Sequence, residues 1–374
     1  MFKHALIAVR MNYAERLLKV QKLLALERLD VLLITHLPNI RYLCGFTGSA
    51  GVLAVSSSGA SFFTDGRYTE QAHEEVVGAK VVIGHKSALR AASEWLGRRK
   101  PIGHRDKLVI GIESDHLTVA SRDVLRAGLN GDARLRNTNG AVETLRMVKD
   151  DAEIKHIRAA ARKGCELFDV ALRALRSAKT ENDVAAEMEY EARRVGAEAM
   201  SFPTIVAAGK RSALPHARAS SAALPRNGLV VLDFGVILDG YCSDMTRTVS
   251  MGRVSHKTRR MYEAVRSAQQ AGLDAVRPGV TAGQVDSAVR TVLKKAGLAR
   301  YFTHSTGHGV GLEIHEIPRL AAAEKQLLEP GMVITVEPGV YIAGEGGVRI
   351  EDLVLVTQRQ CEILTNVTRE LISV

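Results

Sequence analysis

Four runs of this chain combine strand-forming residues with an acid where an acid is costly. GLVVLDFGVIL, YCSDMTRTVS, GMVITVEPGVYI and GGVRIEDLVLVT read as strands, and they carry Asp233, Asp244, Glu337 and Glu351. An ionised carboxylate in an apolar strand is unfavourable unless it is paired or bound to a cation. Turn chemistry brings these acids together. Asp239-Gly240 is a two-residue hairpin signal between apolar flanks. With that loop, residue 238 faces 241, 235 faces 244 and 233 faces 246, so Asp233 and Asp244 share a face as diagonal neighbours. Such neighbours lie about 7–8 Å apart at the backbone, within reach of a shared centre. A slip of one residue would send them to opposite faces. GEGG at 344–347 reads as a second turn, and a loop centred near Gly344 sets Glu337 opposite Glu351.

Four convergent carboxylates cannot stay ionised together without cations, and two divalent ions would balance their charge. Oxygen-rich sites suit manganese, and an imidazole extends the range to cobalt, zinc or iron. The imidazole candidate is His308 in STGHGVGLEIHE, where glycines let the backbone approach a ligand closely and His315 follows. Those glycines lack the strand and helix of a βαβ unit, so a dinucleotide site is set aside.

The first third alternates helical and strand-like texture. A helix is expected over 14–29, with strands at 31–35, 51–56, 61–65 and 108–113, and helices near 87–97 and 116–128. That is an α/β unit. The polar stretch LNGDARLRNTNG (129–140) reads as a linker, dividing the chain into domains 1–138 and 139–374. Beyond it, helices at 150–176, 181–195, 257–275 and 281–296 interleave with hairpin strands, the pattern of an α+β domain with a mostly antiparallel sheet. At 374 residues, 46% hydrophobic, the chain has enough apolar sequence for two cores.

No apolar run approaches the roughly 18 residues of a membrane span, and the opening MFKHALIAVR lacks a cleavage site. Met11 could be the true start, since MNYAERLL opens a helix. The expectation is a soluble, cytoplasmic protein. Cys44, Cys165, Cys242 and Cys361 are far apart and read as free, buried thiols. The net charge of +10 comes from scattered Lys and Arg, clustered only at Arg98, Arg99, Lys100, Arg105 and Lys107 beside Pro101 and Gly103. One Trp and few other aromatics give nucleic acid no stacking platform, so no nucleic-acid partner is expected.

LDFG with YCSDMTRT, GHGVGLEIHE, VEPG and GVRIED, in that order, resemble the metal-binding motifs of the pita-bread metallopeptidases. That family includes methionine aminopeptidase, aminopeptidase P and prolidase. NIRYLCGFTGSAG and FFTDGRYTEQA resemble the amino-terminal domain of bacterial Xaa-Pro peptidases, which methionine aminopeptidases typically lack. The resemblance implies a creatinase-like α/β amino-terminal domain and an α+β pita-bread catalytic domain. It also implies that Asp233 ligates one metal, Asp244 and Glu351 bridge, and His308 and Glu337 ligate the other. His216 and His315 then match non-ligand active-site histidines, and Arg349 a residue that orients a bridging carboxylate.

The chemistry implied is two-metal hydrolysis of the bond before proline, with water activated by the metals. Glu337 would shuttle the proton, His216 or His315 would help stabilise the oxyanion, and His315 would contact substrate. The first expectation is an Xaa-Pro aminopeptidase acting on proline-containing peptides, with manganese as the first choice of metal and a homodimer as the assembly. The alternative is prolidase, which cleaves Xaa-Pro dipeptides only. Arg319 in HEIPR resembles an arginine of some prolidases and would grip the free carboxylate. Metal-free relatives, creatinase and binding modules among them, have lost ligand positions that this chain keeps.

Overall fold

The computed structural model describes residues 11–100, 106–129 and 133–374, and the chain divides into two units, Met1–Arg146 and Met147–Val374. The opening MFKHALIAVR, like Pro101, Gly103 and Arg105 of the basic cluster, lies outside the described residues.

In the first unit, helix Tyr13–Leu26 begins where the Asn12 side chain accepts the backbone N–H of Glu15, and it buries Leu17, Val20 and Leu24. A six-stranded sheet follows. Its spatial order is Ala79–Gly84, Gly59–Asp65, Val52–Ser56, Val31–Ile34, Leu108–Glu113, Ala133–Thr138. Helices Ala88–Gly97 and Val119–Gly128 complete the expected α/β texture. Helix Leu37–Cys44 has no counterpart in the expectation. Pro38 stands in its first turn and Gly45 ends it at φ +88°, a left-handed turn that favours glycine.

The stretch expected as a linker, 129–140, instead contributes strand Ala133–Thr138, paired in parallel with Leu108–Glu113. The reason is its place at the sheet edge. Arg134 and Asn137 face water, giving loop-like composition, while Leu135 packs on the core.

The second unit holds helices Asp151–Ser177, Glu181–Arg194, His256–Ala275 and Ala282–Lys295. Three of them start with reciprocal capping boxes, Asp150/Glu153, Thr180/Asp183 and Thr281/Gln284. The ladders between its described strands are antiparallel. Helices Asp151–Ser177 and Glu181–Arg194 pack Leu167, Ala171 and Met188 against Val206, Leu232 and Phe234. Helices His256–Ala275 and Ala282–Lys295 cover the other strands through Leu273, Val285 and Ile334. Cys44 and Cys242 are buried, Cys165 and Cys361 partly so, and all four thiols are free. No helix among the described residues is long and apolar enough to cross a membrane.

Candidate metal centre

Register places the acids. Leu238 pairs with Tyr241 and Asp233 with Thr246, the pairing that the Asp239-Gly240 turn dictates. In the other hairpin, Gly339 pairs with Arg349 and Val336 with Asp352, so the same count sets Glu337 across from Glu351. A bridge between Thr246 and Glu351 stitches the two hairpins together, with the Glu351 N–H donating to the Thr246 carbonyl at 3.1 Å. Asp233, Thr246, Glu351 and Glu337 therefore form one row across four strands. Directly paired residues share a face, and so do residues two apart, which adds Asp244 and Arg349. Gly309 pairs with Ile334, and the next step of that ladder brings His308 against Thr335, whose hydroxyl accepts the His308 N–H at 3.1 Å.

The donor atoms of Asp244, His308 and Glu351 all lie within 4.8 Å of one another. His308 Nε2 is 3.3 Å from Glu337 Oε1 and 3.6 Å from Asp244 Oδ2. Its Nδ1 lies 2.9 Å from the Gly309 carbonyl, which can only accept, so Nδ1 carries the proton. Burial and then His315 push the His308 pKa down to about 4, so the neutral ring aims a bare lone pair at carboxylates. Two lone-pair-rich groups facing each other need a proton or a metal cation between them. Asp233 Oδ1 and Asp244 Oδ1 are also buried with no hydrogen-bond partner.

The carboxyls respond in the same sense. Burial, then Glu351, Asp233 and Glu337, hold Asp244 well above the usual range; burial, then Glu337 and Asp233, do the same to Glu351. Burial raises Glu337 to about 8. Asp352 is the internal contrast. It follows Glu351, points to the other face, and is satisfied by Arg247 at 2.7 Å, Gln269 at 2.7 Å and Thr365 at 3.1 Å. The residues on the metal-facing side thus fit divalent cations by geometry and by unmet charge.

Arg349 differs from expectation. Its Nη2 donates to Asp233 Oδ2, and it reaches Glu351, the carboxylate it was expected to orient, only through Thr246, whose hydroxyl lies 3.2 Å from Arg349 Nε and donates to Glu351 Oε2 at 2.6 Å. Arg349 Nη1 donates to the Tyr341 hydroxyl at 2.6 Å and to the Pro215 carbonyl at 3.1 Å. Tyr341 in turn meets His304 Nε2 at 3.0 Å. His304 and Tyr341 went unnoticed in the sequence, where only their spacing from His308 and Glu337 marked them.

His315 is exposed and packs edge-on against His308 with ring centroids 4.4 Å apart. Burial, then the neighbouring His216, lower its pKa, while Asp233 works in the opposite sense. His216, also exposed, thus belongs to the same neighbourhood. Arg319 pairs with His308 across the ladder, is exposed, and has no ion-pair partner among the described residues.

Residues 155–358 match the model of metallopeptidase family M24, and residues 16–148 match the creatinase/prolidase N-terminal domain. This chain belongs to metallopeptidase family M24. Among M24 relatives, it is 34% identical to an Xaa-Pro dipeptidase of Pyrococcus horikoshii over 96% of this chain and 99% of that one. The solved Xaa-Pro dipeptidase from Bacillus anthracis superposes with a TM-score of 0.91 at 39% identity, covering 97% of this chain and all of the other. An X-Pro aminopeptidase structure from Thermotoga maritima matches with a TM-score of 0.85 at 33% identity, over 95% and 100% of the two chains. The fold is therefore the creatinase-type amino-terminal domain followed by the pita-bread M24 catalytic domain.

Proposed function

We propose that this chain is a dinuclear-metal Xaa-Pro dipeptidase, a prolidase, and that the dipeptide reading displaces the aminopeptidase that the motifs first suggest. The observation that carries it is Arg319. Arg319, which has no ion-pair partner among the described residues, pairs with His308 across the ladder, and paired residues emerge on the same face. A dipeptide ends in a carboxylate one residue past the scissile bond, and an arginine fork beside the metal centre is suited to hold it. The names of the Pyrococcus and Bacillus anthracis relatives support the same choice.

In this reading Asp233, Asp244, His308, Glu337 and Glu351 hold two divalent ions, with manganese the first to try. Bound there, the ions supply a nucleophile near neutral pH and polarise the scissile carbonyl. Glu337 holds and passes on the proton released from attacking water. His216 and His315 donate N–H groups to the developing oxyanion. Arg349 orients Asp233.

The test compares an Xaa-Pro dipeptide with an Xaa-Pro-Xaa tripeptide after chelation and manganese return. Dipeptide cleavage is expected, with little tripeptide cleavage, and Arg319→Ala should raise KM for the dipeptide by about 10-fold or more. Efficient tripeptide cleavage would make the enzyme an aminopeptidase instead.

A further inference from the structure

His216 lies on an irregular segment, outside any helix or strand. From Ala208 to Ser220 the chain forms a 3-10 turn at Gly209–Ala213 and then a loop, and His216 is exposed near its middle. Such a segment needs external fasteners if a ring on it is to meet a reacting atom reproducibly.

The fastener on one side is Glu181, the first residue of helix Glu181–Arg194, whose carboxylate is wholly buried. At the start of the segment, Oε1 accepts the Ala208 N–H at 2.9 Å. Arg211 Nε is shared between the two oxygens at 3.0 Å each. At the far end, Oε2 accepts the Ser220 N–H at 3.1 Å and its hydroxyl at 2.7 Å. Backbone bonds from Glu181 to Ala222 and from Asn182 to Ser220 continue the seam, and Arg211 Nη2 donates to the Arg218 carbonyl at 2.9 Å. On the opposite side the segment is tied to the metal-site hairpin, through Gly347 to the Ser212 hydroxyl at 2.8 Å and through Arg349 to the Pro215 carbonyl.

We infer that Glu181 is a positioning residue for catalysis, clamping both ends of the 208–220 segment so that His216 is presented to the substrate carbonyl. The inference rests on the peptidase reading of the site. The partners explain why a carboxylate is required. All of them are donors, and the amide of a glutamine would turn its NH2 against the N–H of Ala208 or Ser220, leaving a buried donor without an acceptor. Glu181 itself touches neither metal ligands nor substrate, so its effect must pass through the segment it holds.

The experiment is a double-mutant cycle with Glu181→Gln and His216→Ala, at matched metal content and on the Xaa-Pro substrate that the wild type cleaves. Hydrogen exchange is read in parallel at the amides of 208–220. Glu181→Gln should lower kcat by roughly 10-fold with metal retained. That loss should largely vanish in the His216→Ala background, and exchange at 208–220 should accelerate. An equal loss in both backgrounds, or unchanged kcat and exchange, overturns the inference. Should Glu181→Gln not fold, Ser220→Ala removes one fastener at the far end and carries the same two readouts with a smaller effect. A wild type that cleaves no Xaa-Pro substrate would overturn the function while leaving the exchange measurement to judge the clamp.

Discussion

Asp244 shows how one side chain can be costly to the fold and needed by the site. Its Oδ1 is buried without a partner, and burial with three neighbouring carboxylates holds its proton far above the ordinary range. Asp244→Asn removes that charge at nearly constant shape. Without metal, the variant should melt no lower than the wild type, whereas its metal content after manganese loading should fall and turnover should disappear. Metal analysis and thermal melts in chelator check both halves; an active, fully loaded Asp244→Asn protein would refute the ligand role. Tyr341 supports the opposite prediction. The Ser305 carbonyl, 2.8 Å from His304 Nδ1, fixes the proton there, so the Tyr341 hydroxyl donates to Nε2 and accepts from Arg349. Burial lowers the His304 pKa to about 4, which keeps this direction at neutral pH. Tyr341→Phe leaves His304 Nε2 without its donor and takes from Arg349 Nη1 one of its two acceptors, and should cost about 1–3 kcal/mol in urea unfolding. Its kcat should also drop as Arg349 loosens its hold on Asp233.

At the scale of elements, the site is a consequence of two hairpins whose registers are set locally. Gly235 lies between the acids of the first one. A methyl there would run into the Ser243 carbonyl oxygen of the facing strand. Gly235→Ala should therefore spread the strand pair, destabilise the protein by about 1–3 kcal/mol or more, and weaken metal binding with every ligand still present. Calorimetry with and without manganese reads both effects. These hairpins were legible in the sequence because short turns fix register, and register fixes which side chains meet. The acids could be placed by counting from Asp239-Gly240 and from Gly344, and His308 by its glycines. Strand Ala133–Thr138 was not legible, since an edge strand keeps polar residues in water and so resembles a loop. Nor were Arg349's contact with Asp233, the Tyr341–His304 pair or the Glu181 clamp. Each joins residues far apart in the chain, where no local period records the contact.

For the molecule as a whole, the metal centre couples stability to pH, with a sign opposite to that of an ordinary salt-bridged acid. Glu337 has an ordinary value of 4.5, and burial raises it to about 8 in the folded, metal-free protein; Asp244 and Glu351 move the same way. A carboxyl that holds its proton more tightly when folded contributes fully below its unfolded pKa. That contribution drains away as pH rises through the folded pKa, because the native state must then carry a buried charge that the unfolded chain carries in water. The metal-free protein should thus lose stability between about pH 4.5 and 8 from this cluster. Divalent cations compete with those protons, replacing them as the neutralising charge. Two consequences are measurable. The rise in melting temperature on adding manganese should be larger at pH 8 than at pH 6, and loading at pH 6 in weak buffer should release protons. An equal rise at both pH values, with no proton release, would mean that the carboxyls are already ionised in the metal-free fold. Some protein cation would then have to neutralise them, and the Arg349 guanidinium beside them is already committed to Asp233 and Tyr341.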